Sequence, residues 1–282
     1  MTSNKTILDP RAAGAKRLKG KIAVITGAGQ SIGRATAHRL GEEGAAVMIA
    51  DRHQEGADRT CKELRDHNVN ADTFIGDMSS SETARALMET TKKRFGRIDV
   101  LVNAAGGSMY SKKMGWEYPP KELLDNIQNN LWTCMWGCWA VLPHMIEQGS
   151  GSIVNFGSHA VRGTMRLGYA AAKGGIYAIT TSLALETAKL GIRVNCVVPH
   201  FTEVDQDDRL VSRTGNLLGV RTEEEIQAAK EELETLHLPN IPMGRPTDPY
   251  EVAAAVAFLA SNDASGTTGE IMCVGGGAFC RL

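Results

Sequence analysis

The sequence predicts an α/β fold, with a parallel sheet covered by helices on both faces. Three observations carry that expectation. Short apolar runs alternate with amphipathic stretches along most of the chain, the pattern of repeated βαβ units. The first run gives way to a glycine-rich turn and then to a helix-like stretch. Apolar residues make up 43% of 282, enough to fill the core of one large domain.

The elements follow in order. "KIAVIT" (21–26) is the first strand, and residues 32–44 form a helix ending at Gly44. "AAVMIAD" (45–51) is the second strand, followed by a helix over 54–67. "ADTFIGD" (71–77) and a helix over 81–95 come next, then "RIDVLVNAAG" (97–106) as the fourth strand. A long helical stretch covers 121–147, "GSIVNFGS" (151–158) is the fifth strand, and a helix covers 168–190. "IRVNCVVP" (192–199) is the sixth strand; a helix over 249–261 leads into "EIMCVGGG" (270–277), the seventh. Residues 1–18 are expected to be a flexible arm, and 19–282 a single domain. The charged segment 203–240 breaks the alternation and is expected to form a substrate lid.

Thirty-one basic and 32 acidic residues nearly cancel, so no net field points to nucleic acid or to a membrane surface. No apolar run is long enough to span a bilayer, and the first twenty residues lack the apolar stretch of a secretory signal. Six cysteines are scattered without a C-x-x-C pair or zinc-like clustering. They read as thiols of a cytoplasmic protein with no metal site.

"TGAGQSIG" (26–33) lies between the first strand and the first helix. There a phosphate meets backbone N–H groups and the positive end of a helix dipole. The spacing is not G-x-G-x-x-G: Gly27 and Gly29 fit, but Gly33 comes one residue late. Asp51, at the end of the second strand, is placed to accept hydrogen bonds from both adenosine ribose hydroxyls and to repel a 2′-phosphate, which favours NAD. Arg52 beside it works against that preference. The alternative for Asp51 is a solvated strand-end carboxylate.

"YAAAK" places Tyr169 and Lys173 at i and i+4, on one face of a helix. An ammonium beside a phenol favours the phenolate, which makes tyrosine a usable base toward an alcohol. Ser158 stands at the carboxyl end of the fifth strand, the edge where open α/β sheets bind ligands.

Together these residues resemble the short-chain dehydrogenase/reductase superfamily, whose fingerprint is T-G-x-x-x-G-x-G. The resemblance runs from Lys19 to Gly277, with Ser31 in place of the middle glycine. It implies a Rossmann-like, doubly wound sheet of seven parallel strands in the order 3-2-1-4-5-6-7. It also implies a catalytic set of Asn130, Ser158, Tyr169 and Lys173. NAD would be held by Gly27, Gly29, Ser31, Ile32, Gly33, Asp51, Arg52, Asp77, Met78, "NAAG" (Asn103, Ala104, Gly106), Tyr169, Lys173, Pro199 and Thr202. Ser31 either crowds the phosphates or donates a hydrogen bond to them. His200 replaces a glycine usual after Pro199, and either intrudes on the substrate pocket or is an exposed loop residue. A homotetramer packed through 121–147 and 168–190 is a further implication, and "LWTCMWGCW" suits a buried interface.

The segment "HAVRGTMRLG" (159–168) is two residues shorter than is common in the superfamily and carries Arg162 and Arg166. With "GGSMYSKK" (106–113), it is similar to the dehydrogenases of cis-dihydrodiol carboxylates, such as those of benzoate and toluate diols. Arginine binds a carboxylate bidentately, so Arg166, then Arg162 and Lys112, are the expected substrate anchors. The implied reaction oxidises the ring alcohol and releases carbon dioxide to leave a catechol. Two rivals stand beside it: a broader NAD-dependent dehydrogenase of cyclic alcohols, ketones or steroids, and a catalytically silent NAD-binding regulator.

Overall fold

In a computed structural model of the chain, residues 16–108, 113–202, 231, 235 and 238–278 are described. Seven strands form one sheet: β1 (Ile22–Thr26), β2 (Ala46–Asp51), β3 (Ala71–Ile75), β4 (Val100–Asn103), β5 (Gly151–Phe156), β6 (Ile192–Pro199) and β7 (Ile271–Val274). Their order is β3-β2-β1-β4-β5-β6-β7, and every pairing is parallel, as the sequence predicts. The helices are α1 (Ser31–Glu42), α2 (Gln54–Asp66), α3 (Ser81–Phe95), α4 (Pro120–Ile127), α5 (Thr133–Gln148), α6 (Leu167–Thr187) and α7 (Pro249–Ala260).

Strand periodicity divides the core in two. Successive side chains point to opposite faces, so Ala23, Ile25, Val100 and Val102 pack with Leu40 of α1 and Val252 and Val256 of α7. Val24 and Leu101 pack on the other face with Leu87 of α3, Val141 of α5 and Ile176 of α6. All five residues of β1 are buried, as a central strand covered on both sides requires. Helix α7 starts where the sequence marks it: Asp248 accepts from the Tyr250 N–H at 2.7 Å, Glu251 accepts from the Asp248 N–H at 2.9 Å, and Pro249 takes the first position.

Two features differ from the sequence reading. Leu18 has no exposed surface, and Arg17 donates to the Glu43 carboxylate at 2.7 Å. The packed domain therefore includes the last residues of the expected arm. The helix expected over 121–147 is divided: a π-helical turn, Gln128–Trp132, separates α4 from α5. Nearly all of 203–240 lies outside the described residues. None of the described helices is long and apolar enough to cross a membrane.

Candidate active site

At the carboxyl edge of the sheet, β1 ends at Thr26 and α1 begins at Ser31. Gly27 has φ +67°, and a Cβ there would lie 2.8 Å from the Ala105 Cα. Gly33 sits in the first turn of α1, where a Cβ would lie 2.0 Å from the Gly27 carbonyl oxygen. The late glycine is thus what lets the helix begin directly over the turn. Ser31 has φ +50°, the left-handed region a glycine would enter without cost. No side chain caps α1, and no acidic residue stands in its first turn. The backbone cradle and the positive helix end therefore fit a dinucleotide's phosphates.

A cleft of about 250 Å³ runs from this turn past Asp51, Met78, Ala104 and Gly106 to Thr133. Asp51 is buried at its floor, accepting from the Gly29 N–H at 2.9 Å and the His53 N–H at 3.0 Å. Gly29 is confined by that carboxylate, since a Cβ would lie 2.9 Å from Oδ2. Arg52 lines the same cleft, its guanidinium reaching the His53 ring at 3.3 Å and the Asn129 amide oxygen at 3.5 Å. Asp77 lines the same cleft and accepts from the Ser79 N–H at 2.9 Å, while Ser31, Ile32 and Gly33 form its other wall.

Asn103 departs from its expected place. Its amide points into the interior, donating to Asn155 Oδ1 at 2.9 Å and to Cys138 Sγ at 3.3 Å. The "NAAG" segment thus offers the cleft its later residues rather than the asparagine side chain. Gly106 is held by Asn130, whose Oδ1 would lie 2.6 Å from an added Cβ. Asn130 has no exposed surface. Its amide accepts from the Gly107 N–H at 2.9 Å and donates to the Gly107 carbonyl at 3.1 Å. The π-helical turn places Asn130 against the β4 loop, while Thr133 reaches the Ala105 carbonyl at 3.2 Å.

Lys173 of α6 reaches the end of β5, two residues before Ser158, and Tyr169 lies beside it on the same helix. The Lys173 ammonium is buried, donates to the Phe156 carbonyl at 2.9 Å, and stands 5.7 Å from the Tyr169 ring centre. The Tyr169 ring is half-buried, and its hydroxyl has no hydrogen-bond partner among the described residues. Ser158 Oγ accepts from the Ala160 N–H at 3.1 Å, which leaves its own proton to donate. The buried Tyr177 hydroxyl donates to the Ser158 carbonyl at 2.7 Å. Tyr177 escaped the sequence reading, although it lies four residues past Lys173 on the same helical face.

The remaining described candidates lie in the segments that follow β5 and β6. Pro199 closes β6, and His200 stacks on His159. Thr202 bonds to Thr247, hydroxyl to hydroxyl at 3.1 Å. Arg162 is exposed at the end of a 3-10 turn, and Arg166 is half-buried at the start of α6. Among the described residues neither guanidinium has a hydrogen bond or ion pair. Lys112 lies outside the described residues. No group of three or more metal-ligating side chains occurs among the described residues.

Comparison with known proteins shows the family. Residues 21–214 match the profile of the short chain dehydrogenase family. The chain is 37% identical over 266 residues to the 1,6-dihydroxycyclohexa-2,4-diene-1-carboxylate dehydrogenase of Pseudomonas putida, covering 93% of this chain and 94% of that one. It is 35% identical to the 3-oxoacyl-(acyl-carrier-protein) reductase FabG of Vibrio cholerae, covering 93% and 98%. A solved structure of NAD+-bound xylitol dehydrogenase superposes with a TM-score of 0.82 at 30% identity, covering 93% of this chain and 100% of that one.

Proposed function

We propose that this chain, which belongs to the short-chain dehydrogenase family, is an NAD-dependent dehydrogenase of a cis-dihydrodiol carboxylate. Its membership makes it a nicotinamide-dependent oxidoreductase acting on CH–OH groups. The preference for NAD over NADP rests on Asp51, whose buried carboxylate lines the cleft. The glycine turn, Asp51, Asp77 and Lys173 would hold the cofactor, which supplies the hydride acceptor when bound. Ser158 donates its free proton to the substrate oxygen. Tyr169 accepts the alcohol proton, with the Lys173 ammonium 5.7 Å from its ring centre. Asn130 keeps the β4 loop in place under the reacting groups.

The carboxylate reading rests on one observation. Arg162 and Arg166 lie between Ser158 and Tyr169, and their guanidinium groups have no hydrogen bond or ion pair among the described residues, whereas Arg34, Arg65, Arg94, Arg97 and Arg245 pair with carboxylates. A substrate acid can take the place that a protein acid takes elsewhere. Oxidation of its secondary alcohol gives a β-keto acid, and loss of carbon dioxide leaves a catechol. Aromatisation then pulls forward an oxidation that is otherwise uphill. The same reading includes a homotetramer packed through α5 and α6, whose Trp139, Ile146 and Leu185 are exposed on the chain alone.

The test is a substrate screen with NAD⁺. The diol acid should yield NADH, catechol and labelled carbon dioxide from its carboxyl group. Arg166→Ala should raise KM for the diol acid by about tenfold and leave KM for a neutral cyclic alcohol unchanged. Oxidation of cyclic alcohols with none of the diol acid would favour the broader reading, to which the likeness to an oxoacyl reductase lends weight.

A further inference from the structure

Two histidines meet ring to ring at the substrate end of the sheet. His159 follows Ser158 and opens the 3-10 turn His159–Arg162, while His200 follows Pro199 at the end of β6. Their ring centroids are 3.8 Å apart and their planes are tilted by 43°. Strand register brings them together. Phe156 of β5 stands beside Val197 of β6, and each histidine lies three residues further along its chain.

His200 is fixed to the sheet. Its N–H donates to the Val274 carbonyl at the end of β7, at 3.2 Å. Its side chain occupies space that only a glycine leaves, since a Cβ on Gly275 would lie 2.6 Å from the His200 Cβ. His159, by contrast, belongs to the turn that carries Ser158 and Arg162. That turn is held on its other side by Tyr177 of α6, through the Ser158 carbonyl. Tyr177 in turn packs where a Cβ on Gly157 would lie 2.3 Å from its ring. The Ser158 hydroxyl takes its orientation from the same turn, through the Ala160 N–H.

We infer that His200 is a positioning residue for the reaction. By packing on His159 it fixes the Ser158–Arg162 turn between β6 and α6. It thereby sets the separation between the hydroxyl that meets the substrate alcohol and the guanidinium that meets its carboxylate. The inference rests on the roles proposed above for Ser158 and Arg162. Misplacement of a reacting group by an ångström costs roughly a hundredfold in rate, and loosening one of two supports should cost part of that.

The experiment compares His200→Ala, His200→Phe, His159→Ala and the double alanine variant. Each is assayed with NAD⁺ on the diol acid and on cyclohexanol as a neutral probe. His200→Ala should lower kcat on both alcohols by about tenfold and raise KM for the diol acid alone. NADH affinity, read by fluorescence titration, should not change. His200→Phe keeps a ring against His159 and should restore kcat to within about threefold of the parent. The double variant should be no slower than either single, because both remove one contact.

The inference is overturned if the phenylalanine variant is as slow as the alanine variant, since the imidazole nitrogens would then be acting themselves. Additive losses in the double variant, or parental kcat in His200→Ala, overturn it as well. Should the alanine variants not fold, His200→Phe and His159→Phe decide the matter, because both keep the ring contact and must keep near-parental kcat. Turnover of cyclohexanol with none of the diol acid would end the carboxylate reading alone, and kcat on cyclohexanol would still decide the role of His200.

Discussion

Replacing Gly33 with alanine should separate cofactor binding from folding. The added Cβ would lie 2.0 Å from the Gly27 carbonyl oxygen, 2.8 Å from the Gly27 carbonyl carbon and 3.1 Å from the Ala28 Cα, all of them backbone atoms. Ordinary contact begins at 3.4 Å, so the start of α1 must retreat by 3.4 − 2.0 = 1.4 Å from the turn. An N–H that would reach a phosphate oxygen at about 2.9 Å then falls short of hydrogen-bond range. Each such bond to a charged group is worth about 1.5–3 kcal/mol. Losing one of them should weaken NADH binding by roughly 10- to 150-fold, or about 1.5–3 kcal/mol. Fluorescence titration and calorimetry give the affinity, and a thermal melt without cofactor gives the cost to the fold. Gly266→Ala is the control, since a Cβ at Gly266 meets nothing within 4 Å. NADH affinity within threefold of the parent in Gly33→Ala would refute the argument that this glycine lets the helix approach the phosphates.

Three further outcomes are expected. Asp51→Asn keeps an oxygen that can accept from the Gly29 N–H but removes the charge; the ratio of kcat/KM for NAD⁺ over NADP⁺ should fall at least about tenfold, and an unchanged ratio would locate the discrimination elsewhere. Tyr169→Phe should lower turnover by at least about a thousandfold while NADH affinity stays within threefold; ordinary turnover in that variant would remove Tyr169 as the base. Glu63 ties α2 to α1: burial alone would raise its carboxyl, but hydrogen bonds from His38 at 2.9 Å and Arg34 at 2.8 Å outweigh it and bring it down to about 2 from 4.5. Because the folded value is depressed, this stabilisation is complete above pH 4.5 and is lost as the pH falls toward 2. Allowing for screening at a partly exposed site, about 2 kcal/mol is at stake. Glu63→Gln should flatten the decline of urea-unfolding stability across that range, and parallel declines in parent and variant would exonerate the pair.

The strands were legible because they depend on local pattern, whereas their order followed from the resemblance to a known family. Apolar runs set the strands. The interval from the glycine turn to Asp51 is one βαβ step, and Tyr169 and Lys173 share a face by helical geometry alone. What escaped depends on register or on a break in periodicity. Asn103 is expected at the cofactor because "NAAG" resembles a family motif. Parallel pairing, however, sets it beside Asn155, and its amide donates to Asn155 Oδ1 in the interior. That register is a property of the assembled sheet, invisible within either strand.

The same logic accounts for the two least legible parts of the site. A helical pattern runs through 121–147 without a proline or glycine near Asn130 to mark a change, yet the chain forms a π-helical turn there. The extra residue in that turn offsets α5 from α4, so Asn130 faces Gly107 while Thr133 faces Ala105. A regular helix would offer those neighbours different side chains. His200 is the counterpart in the loops: from sequence it reads either as an intruder in the pocket or as an exposed residue, because its partner His159 is 41 positions away. Only the pairing of β5 with β6, and the room left at Gly275, turn it from a departure at a glycine position into a support for the turn that carries Ser158. Ser31 likewise departs from a glycine, and at φ +50° it carries backbone strain at the mouth of the cofactor cleft. Ser31 lies within 26–33, and His200, at the end of β6, packs on His159 of 158–169, so both departures bear on the two segments proposed to place cofactor and substrate.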